Sequence, residues 1–160
     1  MTENRSRDNI FVTGFSGTGK TTSGKEVARL LGWRFVDTDD EIVVSAGKAI
    51  EDIFSQDGEP AFRKLESETL AAVARNSRQV ISTGGGIIMD EANRRVMESN
   101  GVVVLLEGRP ETILRRLEEQ TAEESDGIAT RPMLQADDAL NRIRSLKAVS
   151  YTHLTLPTKA

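Results

Sequence analysis

The chain has 160 residues, enough for one domain with one core. Apolar residues make up 38% and aromatics 4%, so that core is expected to be aliphatic; the formal net charge of −4 argues against a nucleic-acid or anionic-membrane surface. The absence of cysteine excludes disulfides, thiolate-bound zinc and thiol catalysis.

Along the chain, short apolar runs alternate with amphipathic segments. Ile10-Phe11-Val12 reads as a first strand ending at Thr13-Gly14. A helix follows from Gly19 to Leu31, with Val27, Leu30 and Leu31 at helical spacing and Gly32 as its stop. Arg34-Phe35-Val36 is a second strand, ending at Asp37. Helices are expected near 39–46, 49–55 and 59–75, then a third strand at Val80-Ile81-Ser82, halted by Gly84-Gly85-Gly86. A helix near 90–99 leads to Val102–Leu106, an apolar run of the kind found in a parallel strand covered on both faces. Further helices are expected near 110–119 and 136–148, separated by a polar stretch. This order predicts an α/β fold, a three-layer parallel sheet whose ligands sit at the carboxyl ends of the strands. The Gly-rich loop, Asp37–Asp40 and the Gly triplet all lie at such ends, so they are expected on one rim. No apolar run approaches the roughly 18 residues of a membrane span, and the polar N-terminus is not a secretory signal, so a cytoplasmic protein is expected.

Gly14-x4-Gly19-Lys20-Thr21 satisfies GxxxxGK[ST] and sits between a strand and a helix, where that pattern must sit. Glycines let backbone N–H groups turn toward phosphate oxygens, and the helix N-terminus adds positive potential. Lys20 can reach the outer phosphates, and the Thr21 hydroxyl can ligate Mg²⁺. Gly17, Thr18 and Thr22 complete the ATP-binding segment. The plainer alternative is a Gly-rich turn that only starts a helix. The motif specifies a nucleotide, not a reaction.

The acceptor side is less direct. Asp37 suits the support of metal-bound waters, and Asp39 suits a hydrogen bond from an attacking hydroxyl. Either could instead cap the next helix. In Gly58-Glu59-x-x-Phe62-Arg63-x-x-Glu66, Arg63 has acids at i−4 and i+3. It reads either as a salt-bridged helix surface or as a guanidinium fork for a substrate carboxylate. Three glycines at 84–86 favour close ligand approach over a simple turn. The polar segment about 118–134 reads as a lid, with Arg131 able to stabilise the transferring phosphoryl group, or as a solvated loop.

Taken in order, the phosphate loop, Asp37-Thr38-Asp39, Gly58–Glu66, Gly84-Gly85-Gly86 and Arg131-Pro132-Met133-Leu134 resemble the shikimate kinase family, over roughly residues 8–148. The resemblance implies a nucleoside-monophosphate-kinase-like fold and transfer of the ATP γ-phosphate to the 3-hydroxyl of shikimate, on the route to chorismate. It implies Asp39, Arg63, Gly85 and Gly86 for shikimate, Lys20, Asp39 and Arg131 for catalysis, Thr21 and water-bridged Asp37 for Mg²⁺, and a monomer. The family pattern continues with a second substrate arginine, expected near Ser150, then a last strand and helix. Here Val149–Ala160 departs from it, and the tail VSYTHLTLPT resembles translated adapter sequence. The expectation is a domain over 1–148 followed by a non-native tail over 149–160. Two readings compete with a shikimate kinase: a P-loop kinase of another hydroxy acid such as gluconate, and a nucleotide-binding fragment without catalysis.

Overall fold

The computed structural model describes residues 8–14 and 18–109, with 111–112, 115–116 and 118–119. The lid with Arg131, the helix expected near 136–148, the tail and Gly17 lie outside the described residues. The elements run β1 (Asn9–Gly14), α1 (Lys20–Leu31), β2 (Arg34–Asp37), α2 (Thr38–Ala46), α3 (Ile50–Asp57), α4 (Glu59–Val73), β3 (Gln79–Ser82), α5 (Glu91–Asn100) and β4 (Gly101–Leu106). A single 3₁₀ turn, Ile87–Met89, follows the Gly triplet; no reading of periodicity anticipates so short an element.

The described sheet is fully parallel, in the order β2-β3-β1-β4. Its register sets Val12 and Asp37 both beside Ser82, and Val12 also beside Val104. The loops after β1, β2 and β3 therefore leave the sheet at one level, on one rim. On one face, α4, the 3₁₀ turn and α5 cover Phe11, Val36 and Ile81 with Leu70, Val73, Ile88 and Met97. On the other, α1 covers Val12 and Val80 with Ala28 and Val27. A satellite core of Ile42, Ile53 and Phe62 ties α2 and α3 to α4, with the Phe54 and Phe62 rings 4.7 Å apart.

Two sequence expectations change. Leu30 and Leu31, counted to the inner face of α1, are 69% and 46% exposed; the buried positions are Gly24 and Ala28. The helix lies close on the sheet, and only small residues fit there. The second concerns Val102–Leu106. Val103 and Leu106 pack on the two cores, but Val102 and Val104 are 57% and 39% exposed. The crossover from β1 to β2 carries α1 over that half of the sheet, away from β4, which is an edge strand among the described residues. No helix among those residues is long and apolar enough to cross a membrane.

Candidate active site

The rim gathers the three loops. α1 starts at Lys20, and its N-cap, Gly19, contributes no side-chain cap. The first-turn amides thus keep their capacity for an external acceptor. Lys20 Nζ donates to the Gly14 carbonyl at 2.8 Å, so the lysine reaches back to the end of β1. Thr18 lies just before this start, and Thr21 and Thr22 are exposed on the first turn.

Asp37 is the N-cap of α2: its Oδ1 accepts from the amides of Asp39 at 2.9 Å and Asp40 at 3.4 Å. The capping reading is therefore correct for Asp37 and excludes nothing, since both bonds fall on one oxygen. Asp39 is different. It does not cap α2, and its Oδ1 is buried with no hydrogen-bond partner. Burial pushes its pKa up to about 6, helped by the negative charges of Asp37, Glu66 and Asp40 and opposed by Lys20. Burial also raises Asp37, against the pull of its two amide donors.

Arg63 makes both ion pairs that its spacing offers, to Glu66 at 2.9 Å and to Glu59 at 3.5 Å. The surface picture fails at one of them. Glu66 is 1% exposed, so it is a buried carboxylate rather than a surface partner. Burial raises its pKa and Arg63 opposes the rise. The signal was present in the sequence: Phe62, Glu66, Leu70 and Val73 form one buried stripe of α4, and a glutamate stands where an apolar residue belongs.

The Gly triplet is shaped by these groups. A Cβ on Gly84 would stand 2.9 Å from Glu66 Oε2 and 3.1 Å from Asp39 Oδ1. A Cβ on Gly86 would stand 2.6 Å from Arg63 Nη1 and 2.7 Å from Nη2. The Gly84 amide donates to Thr38 Oγ1 at 3.3 Å, which ties the triplet to α2. An open cavity of about 500 Å³ borders Arg63, Glu66 and Gly86, room enough for a small ligand.

The residues fit a magnesium ion without forming a cage. Among the described residues no three carboxylates or histidines cluster as a metal site. Mg²⁺ keeps most of its waters and binds through phosphates and one or two protein groups. The Thr21 hydroxyl and the Asp37 oxygen not used in capping have the chemistry that such an ion and its waters accept.

The family model described as "Shikimate kinase" matches residues 16–155. A shikimate kinase of Caldanaerobacter subterraneus subsp. tengcongensis is 42% identical over 138 residues, covering 86% of this chain and 76% of that protein. The solved shikimate kinase of Acinetobacter baumannii in complex with shikimate superposes with a TM-score of 0.83 at 33% identity, covering 92% of this chain and 78% of that one. That of Bacteroides thetaiotaomicron superposes with a TM-score of 0.80 at 33% identity, covering 94% and 84%.

Proposed function

The chain belongs to the shikimate kinase family of ATP-dependent kinases, and on that premise we propose that it moves the γ-phosphoryl group of ATP to the 3-hydroxyl of shikimate. The observation that carries the site assignment is Asp39: a half-buried carboxylate whose Oδ1 is buried and unpartnered, on the same rim as the phosphate loop.

The phosphate chain lies across the amides at the start of α1, with Lys20 turned from the Gly14 carbonyl to the outer phosphates. Thr18, Gly19 and Thr22 line this cradle, with Gly17 before them. Thr21, and Asp37 through water, would hold Mg²⁺, which when bound offsets negative charge on the phosphates. Arg63 takes the shikimate carboxylate, and the backbone at Gly85 and Gly86 lies against the ring. Asp39 accepts the proton of the 3-hydroxyl as its oxygen bonds to phosphorus and the bond to ADP breaks. A carboxyl that titrates near 6 is mostly ionised at pH 7 and still holds a proton well, which suits a base. Arg131 would reach the phosphoryl group from the lid. The same reading makes the protein a cytoplasmic monomer.

ADP release with shikimate as acceptor tests this. Asp39→Asn should lower kcat by roughly 10²–10⁴-fold. Arg63→Ala should raise the KM for shikimate by roughly 10–100-fold, the loss of a charge-assisted contact. Full activity in both variants would remove the acceptor assignment.

A further inference from the structure

The Gly triplet combines crowded surroundings with a backbone that no side chain restrains. Positions 84 and 86 have no room for a side chain, because Glu66, Asp39 and Arg63 fill that space. Glycine solves the crowding but brings conformational freedom that a binding surface has to lose. Two side-chain anchors hold the segment, one at each end. Before the turn, the Gly84 amide donates to Thr38 Oγ1 at 3.3 Å. After it, Asn93 Nδ2 donates to the Ile87 carbonyl at 3.0 Å, and Arg94 Nη1 donates to that of Ile88. In between, the Ile87 amide donates to the Gly84 carbonyl at 3.3 Å, and the Met89 amide to the Gly86 carbonyl at 3.1 Å. The amides of Gly85 and Gly86 make no hydrogen bond among the described residues, and both glycines are half-buried. Half-buried amides left over between two anchored ends suit an acceptor atom from outside the chain.

Neither anchor is explained by its own helix. Asp37 already caps α2, so the helix has no local use for the hydroxyl of Thr38. That side chain is fully buried, where a valine of the same shape would avoid burying a polar group. Asn93 is likewise buried, on the inner face of α5 with Met97. We infer that Thr38 and Asn93 are positioning residues for the acceptor: from α2 and α5 they clamp the Gly triplet, so that the Gly85 and Gly86 amides are preset to donate to an oxygen of the bound hydroxy acid. Because Thr38 adjoins Asp39, the same clamp sets the spacing between the triplet and the proton acceptor. This rests on the reading that the acceptor lies against Gly85 and Gly86.

The test compares Thr38→Val, Thr38→Ser and Asn93→Leu with the wild type in the intact chain. Val and Leu keep the shape and remove the hydrogen bond, whereas Ser keeps the bond. In the ligand-free protein, exchange of the Gly84 amide hydrogen should quicken on the order of tenfold in Thr38→Val. The strand amides of Phe11 and Ile81 should not change, and Thr38→Ser should stay close to wild type. With shikimate as acceptor, its KM should rise roughly three- to tenfold in Thr38→Val and in Asn93→Leu, about the worth of one hydrogen bond. The KM for ATP should hold, and Thr38→Ser should restore the KM for shikimate. A purely structural role would lower the melting temperature without this split. A KM for shikimate unmoved in Thr38→Val, or both KM values rising alike, would therefore overturn the inference. So would a Gly84 amide that exchanges equally fast in the wild type and in Thr38→Val. Exchange is read without ligand, so it decides the clamp on its own. Failure of the wild type to phosphorylate shikimate would count against the proposed function alone.

Discussion

The two sides of the site are built on different physics. The phosphate side is local: one strand end, one loop and one helix start, with Lys20 bonded to Gly14 six residues away. Its positive potential comes from backbone amides and a helix terminus, which need no buried charge. The acceptor side is assembled from three distant segments, around Asp39, Arg63–Glu66 and Gly84–Gly86. It works with carboxylates held away from water, and both Asp39 and Glu66 have raised pKa values for that reason. A cradle made of backbone costs little stability and serves many reactions. A wall made of desolvated charge costs stability and recognises one kind of acceptor.

The largest test of this contrast is Lys20→Met. It should lower kcat on the order of 10²–10³-fold, as loss of a preorganised donor does. Shikimate affinity, measured by calorimetry, should stay unchanged; a parallel loss would mean that the two sides are not separate.

Asp39→Asn is next, read on stability. The folded pKa of about 6 lies above the ordinary value of 3.8, so the folded state is penalised when Asp39 ionises. The penalty is full above about pH 6, fades as pH falls through that value, and is gone below the unfolded value. At pH 8 the variant should unfold at a free energy higher by about 1–3 kcal/mol, with the difference vanishing near pH 3. Denaturant titrations at the two pH values check this, and a variant less stable at pH 8 would break the desolvation account.

Gly86→Ala sharpens the acceptor side. Its methyl group would overlap the Arg63 guanidinium. The KM for shikimate should rise about tenfold while the KM for ATP holds, consistent with roughly 1.4 kcal/mol of lost positioning. Steady-state kinetics with each substrate varied would show an equal change in both KM values if the triplet instead served the whole rim.

The smallest effect is expected at Leu30→Lys. Leu30 is 69% exposed, and the change should stay within about 0.5 kcal/mol by denaturant unfolding. A larger loss would mean that the outer face of α1 is covered.

Legibility in the sequence follows the same division. The four described strands and helices α1–α5 were readable within a few residues, because most are set by local apolar spacing and by Gly or Asp near an end; α1 was placed by its ends alone, since its Leu30 and Leu31 face outward. The placing of β4 at an edge was not, because an apolar run does not say which helix lies over it. Asp39 and Arg63 were nominated by position, but capping and surface pairing were equally good accounts of them. Asp37 turned out to cap, Arg63 to pair as spaced, and Asp39 to hold a buried Oδ1 without a partner.

By itself, the sequence determined the order of elements and the place of the GxxxxGK[ST] pattern between β1 and α1, since both depend on neighbours along the chain. Tertiary structure alone decided that Glu66 is buried, that Gly84 lies between it and Asp39, and that Gly86 receives the face of Arg63. Those contacts join residues far apart in sequence, and their energies come from desolvation and charge at short range. Neither quantity exists until α2, α4 and the end of β3 pack together.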